Sequence, residues 1–407
     1  MTREGLEASV LKVSEPAEVL SYVPHAIGYA PSQSLVAISL RAPRRRIGLV
    51  ARVDLADVVG EYSSDVVDDL ATFLASDGAV ALFVVVYTDE PLAQARNSRS
   101  IADRAFEALM CAQDLPQSVE TWIVAPDGYA SWGCEDPRCC PPQGRDLRDL
   151  EDTRLSTRLT LAGSAPLASR TDLALGTDLD ENRRRAFEVG IRRTVRARAA
   201  AQERSELEAW RVRRARGVLS LLAGRRRGTF DADLRSQEGA RAGERAGERA
   251  QNPAQLGVLA AALSDVVVRD LVLVAIARRC AGSSGESSSS NRGRASTARA
   301  ASISASSLAT LPQDVGAVFG AGGPAPDPDL LRCIQRRAGE AVRLSTGAMR
   351  ADLLVILAWL AWWAGDGARA GVHLGEALTL VPDHRLGALI RDSLRHAVPP
   401  GWARAAS

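Results

Sequence analysis

A chain of 407 residues that is 46% hydrophobic, 25% charged and 4% aromatic has the make-up of a globular protein of two or three domains. That excludes a disordered, collagen-like or disulfide-scaffold chain. Lys and Arg total 51 against 49 acids, a net charge of +2, so no overall field selects a polyanionic partner.

Every base but Lys12 is Arg, and four His and six Cys leave few of the side chains that most catalysis uses. Met1 to Val10 carries Arg3, Glu4 and Glu7 without an apolar core, so no secretory signal is expected. The longest apolar stretch, Leu353 to Ala364, is bracketed by Asp352 and Asp366 and is shorter than the roughly 20 residues a membrane-spanning helix needs. The expectation is a cytoplasmic protein with reduced thiols and no membrane partner.

In chain order, Ser14 to about Val23 is a predicted helix, with Ser14 as N-cap, Pro16 in the first turn and Pro24 ending it. Ser34 to Leu40 and Ile47 to Asp54 are strand-like runs joined by the polar turn Ala42-Pro43-Arg44-Arg45-Arg46. Asp65 to Ala75 has helical spacing and stops at Asp77-Gly78. Ala79 to Tyr87 is apolar without alternation, the pattern of a strand buried on both faces. A helix over about Ser98 to Ala112 follows, then a strand at Ser118 to Val124 and an Asp127-Gly128 turn into Tyr129 to Cys134. Strands alternating with helices predict an α/β (α+β) fold, with a mixed sheet sandwiched by helices over residues 1–155.

Residues 156–178 are expected as a connector and 179–280 as a long Arg-rich helix, a connector and a further helix. Arg183 to Arg227 holds fifteen Arg and four Glu, a local charge of +11, which leaves about −9 for the rest. The tandem R-A-G-E tetrads at Arg241 to Ala250 place Gly where a helix loses about 1 kcal/mol each, and Pro253 to about Ala277 is helical again. Residues 281–310, centred on the Ser-, Ala- and Gly-rich run Gly282 to Ser307, have too little apolar surface to order themselves and are expected as a flexible linker. Residues 311–407 are expected as an all-helical part. Within it, Gly365-Asp366, Ala370, Ala377-Leu378, Leu380 and Pro382 have the spacing of half a tetratricopeptide repeat, read as a helical hairpin.

Val23-Pro24-His25-Ala26-Ile27-Gly28-Tyr29-Ala30-Pro31-Ser32-Gln33-Ser34-Leu35-Val36, with Arg52-Val53-Asp54-Leu55 after it, resembles an actinobacterial family catalogued as domain of unknown function 4192. Cys134 to Gly144, Asp265 to Asp270 and Leu353 to Pro400 extend the resemblance over nearly all the chain, with the Ser-rich segment and the tetrads as additions. The resemblance brings no activity, ligand or catalytic residue with it.

Four clusters carry chemistry. Pro24, His25, Gly28, Pro31, Ser34, Arg52 and Asp54 offer the polar groups of a small-ligand pocket. His25, Ser34 and Asp54 also hold the residue types of a hydrolytic nucleophile, base and orienting acid, without a G-x-S-x-G elbow. The plain alternative is a shaped loop with a hydrogen-bonded His25 and a capping Asp54. Cys134, Cys139 and Cys140 form a C-x4-C-C cluster before Pro141-Pro142, readable as three zinc thiolates, a redox pair or a tight loop. Gly365 to Ala370 matches G-x-G-x-x-A, but it follows a Leu-, Ala- and Trp-rich run that prefers helix to strand, so no nucleotide cofactor is expected there. Arg183 to Arg227 is readable as a phosphate-tracking nucleic-acid surface or as a solvated face. The leading reading is a binding or interaction protein with a small-molecule or protein partner; the alternative is a hydrolase-type enzyme with its site among His25, Ser34, Arg52 and Asp54.

Overall fold

The computed structural model describes residues 15–223, 252–281, 303–319, 323–396, 398 and 400–404. The fold is α+β and divides into residues 1–173 and 174–406.

In the first unit, α1 (Pro16–Ile27) begins with Glu15 as N-cap and Pro16 at its first position; Ser14 lies outside the described residues. The helix does not stop at Pro24, as its sequence predicts, but continues to Ile27. Proline removes its own N–H bond to the preceding turn, but the residues after it keep theirs. Gly28, at φ 85°, closes the helix by donating its N–H to the Pro24 carbonyl at 2.8 Å.

Strands β1 (Ser34–Arg41) and β2 (Arg46–Asp54) form the expected antiparallel hairpin. Helices α2 (Leu55–Val58) and α3 (Ser63–Ser76) lead to β3 (Ala79–Tyr87). A crossover through α4 (Leu92–Ala95) and α5 (Ile101–Met110) returns the chain to β4 (Val119–Ala125), parallel to β3. Hairpin strand β5 (Gly128–Ser131) completes a five-stranded mixed sheet of order β2-β1-β3-β4-β5 and stops short of the predicted Cys134. β3 lies at the centre, and from Ala81 to Tyr87 it is buried.

Alternation puts Leu35, Ala37, Leu82, Val84, Val86 and Ile123 on one face, where Val67, Leu70 and Leu74 of α3 and Phe106 and Leu109 of α5 join the same core. The opposite face buries Val36, Ile38, Phe83, Val85 and Trp122. On that side α1 packs with α6 (Arg148–Glu151) and α7 (Arg154–Leu161) and reaches β2. α7 falls in the stretch predicted as a connector, and its N-cap Thr153 shares a 2.7 Å hydrogen bond with Ser21 of α1. The edge of β5 is covered by a loop in which Tyr129 and Arg145 exchange backbone hydrogen bonds of 3.1 and 2.8 Å.

The second unit is helical. The single Arg-rich helix that the sequence predicts is two, α8 (Glu181–Ala199) and α9 (Arg204–Ala223), because Glu206 turns back to accept the N–H groups of Gln202 and Glu203. Likewise the segment after Pro253 is split into α10 (Pro253–Leu263) and α11 (Val266–Ala281) by Asp265, whose Oδ1 accepts the N–H groups of Val267 and Val268. α8 and α10 cross where Gly190 faces the Ala254 carbonyl and Gly257 faces that of Phe187. Helix α12 (Ala305–Phe319) begins inside the predicted linker; residues 282–302 of that linker, and the R-A-G-E tetrads, lie outside the described residues.

After α13 (Pro328–Leu344), helix α14 (Gly347–Trp363) is buried around its whole circumference from Leu353 to Trp363. It pairs with α15 (Gly367–Leu380) through a turn in which Gly365 has φ 83°, so Gly365 to Ala370 belongs to a helical connection and not to a strand-to-helix phosphate loop. α16 (Arg385–Arg395) and α17 (Gly401–Arg404) end the unit.

Candidate functional site

Strand register gathers the first cluster. Ser34 stands opposite Asp54 on β2 and Tyr87 on β3, at the sheet end where the parallel strands β3 and β4 have their C-termini. Ser34 Oγ donates to the Ser32 carbonyl at 2.6 Å and accepts from Arg52 Nε at 2.8 Å. Arg52 Nη2 reaches Asp54 Oδ1 at 2.5 Å, and the other carboxylate oxygen takes Arg170 Nη1 at 3.3 Å. Ser32 Oγ donates to Asp89 Oδ1 at 2.9 Å. The Arg52 side chain is 12% exposed, whereas Asp54 and Arg170 are each more than 40% exposed, so the row runs from the interior to solvent. Next to it the Tyr87 hydroxyl is buried without a partner among the described residues, and burial pushes its pKa up.

His25 is placed differently. Because α1 runs on through Pro24, the imidazole sits in the last helical turn, with Nδ1 at 2.9 Å from Ser164 Oγ and Nε2 at 3.3 Å from Ser156 Oγ. Partial burial moves its pKa below the ordinary value. Gly28 and the residues after it are tied to Leu167 through a short parallel bridge, with Ala30 N–H to the Leu167 carbonyl and Leu167 N–H to the Gly28 carbonyl, both at 2.9 Å. Pro31, half-buried, follows in that stretch. The structure thus brings Ser34, Arg52 and Asp54 together and gives His25 a separate set of partners. Sequence reasoning missed Asp89, Ser156, Ser164 and Arg170, which lie between 57 and 139 residues along the chain from the groups they bond, where no local spacing signals them.

The thiols form the second cluster. The Sγ atoms of Cys134, Cys139 and Cys140 all lie within 4.8 Å of one another, the first two half-buried and the third buried. The loop is held by its neighbours: Arg96 donates to the carbonyls of Cys134 at 2.7 Å and Pro141 at 3.3 Å, and the Cys139 and Cys140 N–H groups converge on the Asp136 carbonyl. Ser131 N–H points at Cys140 Sγ at 3.4 Å, and Arg145 Nη2 at Cys139 Sγ at 3.5 Å. The Asp136 backbone N–H pulls the Cys134 pKa down, whereas burial pushes that of Cys140 up.

On α8 and α9, six arginines pair with carboxylates of the same unit: Arg183 with Asp178, Arg185 with Glu181, Arg192 with Glu188, Arg204 with Glu208, and both Arg198 and Arg211 with Asp265. The Arg214 pKa is lowered by burial first and then by the charges of Arg193 and Arg213. Among the described residues no helix is long and apolar enough to cross a membrane.

Fold and site together define an α+β protein whose mixed sheet ends in a row of interlocked polar side chains and whose second unit is all helix. The model of a family described as a domain of unknown function (DUF4192) matches residues 16–285 and 330–401, and the chain belongs to that family. The resemblance read from Val23 to Val36, Cys134 to Gly144 and Leu353 to Pro400 lies within the matched ranges, and the unmatched 286–329 takes in most of the Ser-rich run. No curated protein and no solved structure matches the chain.

Proposed function

We propose that the protein is a binding protein whose first unit takes a small polar ligand at the Ser34–Arg52–Asp54–Arg170 row, with the stretch from Pro24 to Ser34 as its rim. The observation that carries this reading is the position of the row. It stands at the C-terminal ends of the parallel strands, where open α/β sheets usually bind ligands, and it runs from a shielded Arg52 to an accessible Arg170. A ligand carboxylate or phosphate would take Arg170 from Asp54 at little cost, since their contact is long and half-exposed. Hydrolysis is the weaker reading: a serine nucleophile needs a base on its hydroxyl, whereas Ser34 Oγ is engaged by Arg52 and both ring nitrogens of His25 by other serines. On the arginine helices, pairing with internal carboxylates favours a structural role over phosphate tracking.

The test is a thermal-shift screen of the full chain against nucleotides, short peptides and small carboxylates. A ligand that raises the melting temperature of the wild type and of His25→Ala, but not of Asp54→Ala or Arg170→Ala, supports the row as the site. If the Asp54 and Arg170 variants melt lower yet respond to ligand as the wild type does, the row is structural and the reading fails.

A further inference from the structure

Apart from the polar row, the loop after β5 has the make-up of a metal site. We propose that Cys134, Cys139 and Cys140 bind one zinc(II) ion as thiolates, with Arg145 as the charge-balancing neighbour and the fourth position open to water or a small exogenous ligand.

Distance comes first. Zinc–sulfur bonds of about 2.3 Å put two sulfurs of a tetrahedral site roughly 3.8 Å apart. Cys139 and Cys140 already stand at 3.9 Å, and the widest separation in the trio, 4.8 Å, closes by side-chain rotation of the half-buried Cys134 and Cys139.

Two of the sulfurs also face an N–H donor: Cys139 the Arg145 guanidinium at 3.5 Å and Cys140 the backbone N–H of Ser131 at 3.4 Å. Donors of this kind orient sulfur lone pairs and stabilise the anion, as outer-shell partners do in metal–thiolate sites.

Charge gives the third argument. Three thiolates around zinc leave one net negative charge, and one guanidinium is fixed beside it. Arg145 cannot swing away easily: its Nε donates to the Cys139 carbonyl at 2.8 Å, and its guanidinium lies 5.4 Å from the Trp122 ring and 6.0 Å from that of Tyr129. Arg96 meanwhile joins the two ends of the loop through the carbonyls of Cys134 and Pro141. The ligands are therefore preorganised by the sheet edge. Among the described residues no fourth His, Cys, Asp or Glu completes the group, so the site keeps an exchangeable position instead of the closed four-ligand shell of a structural zinc.

The full chain, purified with reductant and equilibrated with zinc, is assayed for metal by elemental analysis and, after cobalt(II) replacement, for sulfur-to-cobalt charge-transfer absorption. The expected result is about one equivalent per chain and a cobalt spectrum of thiolate intensity. Cys134→Ser and Cys139→Ser, both outside the deep core, lose that metal while keeping their circular dichroism; Cys111→Ser and Cys333→Ser retain it. Arg145→Ala weakens zinc binding about tenfold. Reduced wild-type protein that takes up no zinc and shows no charge-transfer band overturns the proposal, as does a Cys139→Ser variant that still binds like the wild type. A disulfide within the trio that forms in a protein unable to bind zinc assigns the cluster to redox chemistry instead.

Discussion

At Gly190 and Gly257 the lack of a side chain lets α8 and α10 meet backbone to backbone. A Cβ at either position would overlap a main-chain carbonyl oxygen, that of Ala254 or Phe187, which has no rotamer by which to yield. Gly190→Ala and Gly257→Ala are each expected to destabilise by about 2 kcal/mol, the overpacking cost exceeding the gain in helix propensity. Gly217→Ala is the control: nothing lies within 4 Å of its added methyl, so it should stabilise by up to about 1 kcal/mol. Urea midpoints at constant slope measure all three.

His373 sets a pH dependence. It is buried on α15 with Nδ1 unpartnered among the described residues, and burial, followed by Arg369 and Arg350, lowers its pKa to about 4. The unfolded chain therefore takes up this proton before the folded one does. Its contribution to stability is complete above about pH 6.5 and falls as the pH drops towards 4, by on the order of 3 kcal/mol in all. Replacing it by His373→Leu should flatten the stability difference across that window. If wild type and variant lose stability in parallel from about pH 7 to about pH 5, the assigned shift is wrong.

At the level of elements, the breaks in the helices say more than the helices. Asp265 caps α11 with one carboxylate oxygen and receives Arg211 at 3.2 Å and Arg198 at 3.6 Å on the other, so it joins α8, α9 and α11 at one point. Asp265→Asn keeps a capping oxygen and loses the charge; Asp265→Ala loses both. The alanine variant is expected to be less stable than the asparagine variant by about 1 kcal/mol, the worth of an N-cap, by thermal unfolding. Equal losses would mean that the cap contributes nothing. Asp265 stood in plain view as an N-cap residue before a Val run, but the apolar continuity of the segment masks it. The break at residues 200–203 has no Gly or Pro to mark it, and only the return of Glu206 onto Gln202 and Glu203 defines it. In contrast, β3 was legible at once, because nine apolar residues bounded by Asp77-Gly78 and Thr88-Asp89 are too short for a buried helix of usual length. Pro24 misled for a physical reason: proline loses its own N–H bond to the preceding turn, yet leaves the next turn free when a left-handed glycine is ready to end it.

For the whole molecule, each unit has its own apolar core, one built on the sheet and one around α14. A chain ending at Leu173 is accordingly expected to fold alone, with a single cooperative melt by circular dichroism; a gradual, non-cooperative loss of signal would show that the first unit depends on the second. By itself the sequence determined the local choices: the mixed-sheet half, the helical half, the central strand, the family and the residue types of both candidate sites. These depend on periodicity and short spacings, which act within a few residues. Only the tertiary structure decided the partnerships. Arg170 comes to Asp54 across 116 residues and Ser164 to His25 across 139, while Arg145 is laid over Trp122 beside the thiols by the edge of β5. Such contacts follow from strand order and from which faces bury apolar surface, and those are settled by the packing of the entire unit rather than by any one segment of it.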